Sequence, residues 1–156
     1  MDWSAPNTRF RVTADLPPGK PAPQTGLEAK FSIYHASAAA IIRGSAGPDE
    51  FTDETVHNAE VITLRDKVTA QMDEGVSEEE AFVVIRLNDG TVLSKHVEHA
   101  IGSLERPMTK DSLESKFKGQ ALTALPTDQI DRIMAMCWDI ESSDNVSEIA
   151  RASRSA

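Results

Sequence analysis

Phe31-Ser32-Ile33-Tyr34-His35-Ala36-Ser37-Ala38-Ala39-Ala40-Ile41-Ile42 is the stretch on which the fold turns. It is apolar nearly all the way round a helix, whereas a surface helix of a small domain keeps one polar face. Ser32 can cap its start, and Gly44 can end it in the left-handed conformation. A helix without a polar face predicts burial on most sides, partly by something beyond the rest of this chain. Four polar side chains sit in or beside the run: Lys30, Ser32, Tyr34 and His35. Buried polar groups need partners. The four are therefore either a satisfied structural cluster at a helix start or one edge of an active site. Imidazole moves protons near neutral pH, and an ammonium group can hold a substrate carboxylate.

Outward from this helix, the pattern changes period. Pro48-Asp49-Glu50-Phe51 opens a turn, and residues 48–67 read as helical, with Val61, Leu64 and Val68 as a core-facing stripe. Thr52-Asp53-Glu54 and Asn58-Ala59-Glu60 resemble helix starts, with acids at the positive end of the macrodipole. Lys67 to Met72 alternates as a strand, and Ala81-Phe82-Val83-Val84-Ile85-Arg86-Leu87 is a second. Asn88-Asp89-Gly90 signals a hairpin, because Asp-Gly supplies φ > 0 readily. Thr91 to Val97 is the returning strand. Glu78-Glu79-Glu80 reads as a solvated loop.

Helical spacing returns in the last third. Thr109 caps a helix carrying Leu113, Phe117 and Ala121, and Pro126-Thr127-Asp128 starts another with Ile130, Ile133, Met134 and Cys137 on one face. Asp144-Asn145 caps a short helix through Ile149. At the other end, Thr8 to Thr13 alternates as a strand, followed by the proline-rich Leu16 to Pro23, which continues neither helix nor sheet. The expected organisation is a strand and linker over 1–26, an α+β domain over 27–150 with a small antiparallel sheet packed with several helices, and a tail over 151–156. A strand followed by so long an irregular piece is either a floppy terminus or a sign that the true start lies upstream.

Composition narrows the function classes. Charged residues make up 26%, and the net charge of −9 repels phosphate backbones, which argues against nucleic acid as a partner. No apolar run approaches a membrane span, and the N-terminus lacks the basic and apolar regions of a signal peptide. The single cysteine, Cys137, excludes an internal disulfide and a cysteine-based zinc cage, and fits a reducing cytoplasmic compartment. No Gly-rich phosphate loop, Gly-x-Ser-x-Gly elbow or His-Glu-x-x-His occurs. His96 and His99 lie three apart near a strand end, unlike helical or finger-type metal spacing, and are expected on the surface.

Gly26-Leu27-Glu28-Ala29-Lys30-Phe31-Ser32-Ile33-Tyr34-His35 resembles the segment that opens the C-terminal domain of the MmgE/PrpD family. The likeness continues through Glu50-Phe51-Thr52-Asp53-Glu54, the Asn88-Asp89-Gly90 hairpin, Gly102-Ser103-Leu104-Glu105-Arg106-Pro107-Met108-Thr109 and Leu113-Glu114-Ser115-Lys116-Phe117. It covers roughly residues 8–140. That family contains 2-methylcitrate dehydratase, cis-aconitate decarboxylase and iminodisuccinate epimerase. The resemblance implies a large helical N-terminal domain, a smaller α+β domain packed on it, and an active cleft between them.

On that resemblance, this chain is the smaller domain of a lyase or isomerase. The shared reaction removes a proton next to a carboxylate on a small di- or tricarboxylate, with no obligatory metal or organic cofactor. Lys30 and Ser32 are implied as substrate-binding residues, and His35 and Tyr34 as candidates for proton transfer. Many members place Tyr where His35 stands, and here Tyr34 comes one position earlier, so which of the two faces the cleft stays open. The implied partner is a helical N-terminal domain or subunit. Separately, the apolar Ala36–Ile42 face, costly to leave in water, predicts self-association with a second copy as a dimer. The other reading is a non-catalytic remnant or self-associating interaction module. The chain alone is expected to be inactive, because one edge of a cleft cannot hold both base and carboxylate clamp.

Overall fold

The computed structural model describes residues 9–14 and 19–155, with side chains from Arg11 to Thr13 and from Gly19 onward. Ser32 and Gly44 do bound the deciding helix. α1 (Gly26–Ala29) is a single turn whose N-cap Thr25 accepts from the Glu28 N–H. α2 (Ile33–Arg43) follows, with the Ser32 hydroxyl accepting from the His35 N–H and Gly44 closing the helix at φ 74°. No residue from Ile33 to Ile42 is fully exposed. The near-apolar circumference therefore reflects neighbours on several sides, as the composition of the helix requires.

The stretch expected as helical over 48–67 breaks into three short pieces. They are a 3-10 turn at Pro48–Phe51, α3 (Asp53–Val56) and α4 (Ala59–Arg65). Thr52 caps α3 by accepting from Thr55 N–H, and Asn58 caps α4 by accepting from Glu60 and Val61 N–H. Each cap interrupts the preceding turn because its side chain replaces a backbone partner. Pieces this short have no helical stability of their own and depend on packing.

Four strands form one sheet in the order β2-β1-β3-β4, from β1 (Arg9–Ala14), β2 (Val68–Met72), β3 (Ala81–Arg86) and β4 (Val92–Val97). β3 pairs antiparallel with β1 and β4, but β1 and β2 run parallel, with Val12 opposite Ala70. The sheet is thus mixed rather than wholly antiparallel. A parallel pair needs a crossover, and here all of α1 to α4 lies between β1 and β2. The strand expected ahead of the linker is therefore an inner strand. Its expected first residue, Thr8, and part of the proline-rich stretch, Leu16 to Pro18, lie outside the described residues.

The β3–β4 hairpin turns where Asn88-Asp89-Gly90 predicts. Gly90 has φ 86°, and the Asp89 carboxylate accepts from the Thr91 N–H at 2.9 Å. That hydrogen bond holds the Asp89 carboxyl below its ordinary range.

One face of the sheet carries the core. Val12, Ala38, Ala39, Val61, Leu64 and Val68 are buried together, with Ile33, Tyr34, Ile41, Ile42, Val83 and Ile85 packed against them. The Ala38-Ala39 pair lets α2 approach α4 and the sheet closely. At the α1 start, a methyl group on Gly26 would stand 2.1 Å from the Phe51 carbonyl oxygen, so only glycine fits there. The Gly26 N–H also donates to the Asp53 carboxylate at 2.6 Å, tying α1 to α3.

The chain divides into two compact units, 1–107 and 108–156. The second is helical, with α5 (Lys110–Ala121), α6 (Thr127–Trp138) and α7 (Ser147–Ala152). Thr109 caps α5, and Ile130 and Ile133 are the buried residues of α6, as the spacing predicts. Arg151 and Ala152, expected in a tail, instead close α7. Among the described residues, no helix is long and apolar enough to cross a membrane.

Candidate functional site

The four polar residues around the start of α2 do not share one environment. Tyr34 is half-buried and packs against the sheet core. Ser32 is 2% exposed, and both roles of its hydroxyl are used. It donates to the Lys20 carbonyl at 2.6 Å and accepts from the His35 N–H at 3.2 Å. Ser32 thus caps the helix and pins the proline-rich stretch at Lys20. Lys30 is exposed at the end of α1. Among the described residues its ammonium forms no ion pair, unlike Lys20, which pairs with Glu28. The Lys20 ammonium and the Gln24 N–H hold the Glu28 carboxyl below its ordinary range.

His35 points the other way from Tyr34, as neighbours on a helix must at about 100° per residue. It is fully buried. Its Nε2 lies 2.7 Å from the Glu50 carbonyl oxygen, and its ring stands 5.7 Å from that of Phe51. A carbonyl only accepts, so Nε2 carries the proton. In the neutral ring Nδ1 is then a bare acceptor. Nδ1 is buried and has no hydrogen-bond partner among the described residues. The Pro48–Phe51 turn is itself well fastened. The Glu50 carboxylate accepts from Gly47 N–H at 2.6 Å and Ser45 Oγ at 2.9 Å, and Thr55 Oγ1 donates to the Asp49 carbonyl at 2.8 Å.

This arrangement makes His35 a post for the turn as well as a chemical group. His35→Ala is expected to lower stability by about 2–4 kcal/mol, through the cavity left and the orphaned Glu50 carbonyl. Urea unfolding followed by circular dichroism measures it. A loss below about 1 kcal/mol would show that the turn does not depend on the ring.

Two further polar places lie in the first unit. A cavity of about 360 Å³ is lined by Arg43, Asp49, Glu50, Thr52, Glu54 and Thr55. Three carboxylates against one guanidinium suit a carboxylate ligand poorly. On the sheet, His96 of β4 stacks on its cross-strand partner Phe82 at 4.1 Å and meets Glu80 at 2.5 Å. The Ser77 N–H and then His96 hold the Glu80 carboxyl below its ordinary range. His96 is on the surface, as expected. His99 meets Glu79 at 3.5 Å, and Glu105 comes close to both. No sequence signal points to this convergence, because Glu79 comes from the β2–β3 loop and His99 and Glu105 from the connection after β4.

A model of the MmgE/PrpD C-terminal domain matches residues 9–140. The chain is 24% identical over 136 residues to "Cis-aconitate decarboxylase" of Mus musculus, a match that covers 85% of this chain. The chain spans only 28% of the length of that relative.

Proposed function

The chain belongs to the MmgE/PrpD family as a C-terminal domain, and on that premise we propose that it supplies one wall of a lyase or isomerase active site. The substrate is a small di- or tricarboxylate. The reaction begins with removal of a proton next to a carboxylate, as in 2-methylcitrate dehydration or cis-aconitate decarboxylation. A helical domain or subunit supplies the other wall.

The observation that carries this reading is the buried, unpartnered Nδ1 of His35. The neighbouring Ser32 hydroxyl, by contrast, is satisfied in both roles. A lone pair left open there is suited to take or guide a proton. Of the four candidates, the Ser32 hydroxyl is engaged in capping and the Tyr34 ring packs against the core, while Lys30 is exposed and His35 Nδ1 has no hydrogen-bond partner among the described residues. Lys30 is then the carboxylate clamp, and His35 the proton-transfer residue of this wall. Tyr34 and Ser32 position the segment.

A second reading has an observation of its own. Leu27 and Phe31 are 68% and 73% exposed on either side of Lys30. Large apolar groups in water favour a covering surface. That surface is the helical partner in the first reading, and a second copy in a self-associating module without turnover.

The test is to purify the chain alone and together with a co-expressed helical partner domain, and to assay both on 2-methylcitrate, cis-aconitate and iminodisuccinate. We expect no turnover by the chain alone and turnover by the pair. Turnover by the chain alone would remove the need for a second wall. A pair that turns over none of the three, beside a chain that dimerises in light scattering, would favour the interaction module.

A further inference from the structure

Three side chains from two connections, the β2–β3 loop and the stretch between β4 and α5, converge beyond β4. Glu79 sits in the loop before β3. His99 lies just past the end of β4. Glu105 stands in the next turn, which is closed by Gly102 N–H to the Arg106 carbonyl at 2.8 Å and by Arg106 N–H to Ser103 Oγ at 3.1 Å. Gly102 has φ 98°, a conformation that glycine adopts without strain. One ligand atom from each of Glu79, His99 and Glu105 lies within 4.8 Å of the other two.

The spacing is informative. His99 Nδ1 and Glu79 Oε2 are 3.5 Å apart, long for a hydrogen bond between them. Two ligands about 2.0–2.2 Å from one tetrahedral ion stand roughly 3.3–3.6 Å from each other. The distance, within ion-pair range, is also that of two donors that share one ion.

We propose that Glu79, His99 and Glu105 form a binding site for a divalent transition-metal ion of the zinc type. One imidazole nitrogen and two carboxylates make a three-ligand set, with water in the fourth position. The surroundings select the class of ion. The concave surface here, about 290 Å³, is lined by Glu98, Glu105, His99 and His96 but also by Lys95 and Arg106. Those two cations offset much of the local negative charge. An ion held by charge and oxygen alone, such as Ca²⁺ or Mg²⁺, gains little there. An ion that values an imidazole nitrogen gains more. His96 is not part of the set, because it is already stacked on Phe82 and paired with Glu80. A bound ion would fasten the turn after β4 to the loop before β3.

The experiment titrates zinc chloride alone into the 156-residue chain by isothermal calorimetry. We expect one site per chain with a Kd on the order of micromolar. His99→Gln is expected to abolish binding, and Glu79→Gln and Glu105→Gln each to weaken it by about tenfold or more. His96→Gln and Cys137→Ser are expected to leave it unchanged. The Co²⁺-loaded chain gives an independent readout: visible absorption typical of nitrogen and oxygen ligands, without a thiolate charge-transfer band. Circular dichroism checks that each variant is folded. The proposal is overturned by absence of binding below about 1 mM. It is equally overturned if binding survives His99→Gln, or if His96→Gln or Cys137→Ser abolishes it, since the ion would then sit elsewhere.

Discussion

Lys30→Ala, in this chain assembled with the proposed helical partner, is expected on the proposed function to lower kcat/KM on a di- or tricarboxylate by about 10²- to 10³-fold, with stability within about 0.5 kcal/mol of the parent. The two halves of this expectation have different causes. Lys30 is exposed and forms no ion pair among the described residues, so the fold loses little with its side chain. A preorganised cation that meets charge developing on a carboxylate is worth several kcal/mol in the transition state, because the enclosed site screens it weakly. Lys30→Arg keeps the charge but not the point geometry, and should recover part of the activity. Steady-state kinetics on the co-purified pair decide the matter. Unchanged kcat/KM for Lys30→Ala would remove Lys30 from the site. A loss of rate accompanied by a loss of several kcal/mol of stability would make its role structural. His35→Ala is the natural contrast, since its ring supports Glu50 and any loss of rate there arrives with a loss of stability.

Much of this fold is written locally in the chain. Ser32, Asn58 and Thr109 cap helices where their side chains can reach nearby N–H groups, and Asp89-Gly90 turns the hairpin. Such signals act over a few residues and survive in one sequence. The parallel pairing of β1 with β2 does not. It joins strands separated by four helices, and nothing in Arg9–Ala14 specifies which neighbour it takes. The candidate site divides the same way. The polar cluster at the α2 start is visible as an anomaly in an apolar run. Which way Tyr34 and His35 point depends on the sheet and on the Pro48–Phe51 turn, both distant in sequence. The break of residues 48–67 into three pieces, by contrast, is legible locally, because Pro48 opens a turn and Thr52-Asp53-Glu54 and Asn58-Ala59-Glu60 read as helix starts, where the caps stand. The approach of Glu105 to Glu79 and His99 has no local signature at all.

Leu64→Ala is expected to cost about 3–5 kcal/mol, a loss on the scale of the whole stability of a small domain. Leu64 is 1% exposed on α4, surrounded by Val12, Ala38, Ala39, Val61 and Val68. Ala38 and Ala39 in the same cluster have no further side-chain atoms that could swing into the space. The cavity therefore stays open, and its cost adds to the lost transfer free energy. α4 has only seven residues and cannot hold itself as a helix without this contact. The loss should spread to the α2–α4 packing and to the sheet face beneath. With urea slopes of about 1–3 kcal/mol per molar, the midpoint should fall by at least about 1 M. Leu93→Ala on β4 is the comparison, because that side chain is 37% exposed and should cost about 1 kcal/mol or less. Equal losses at the two positions would mean that Leu64 is not at the centre of the core. If Leu64→Ala instead gives a soluble chain with helical circular dichroism but no cooperative transition, the α2–α4 contact is what makes this domain fold as a unit, and the segment from Lys30 to His35 owes its geometry to that contact.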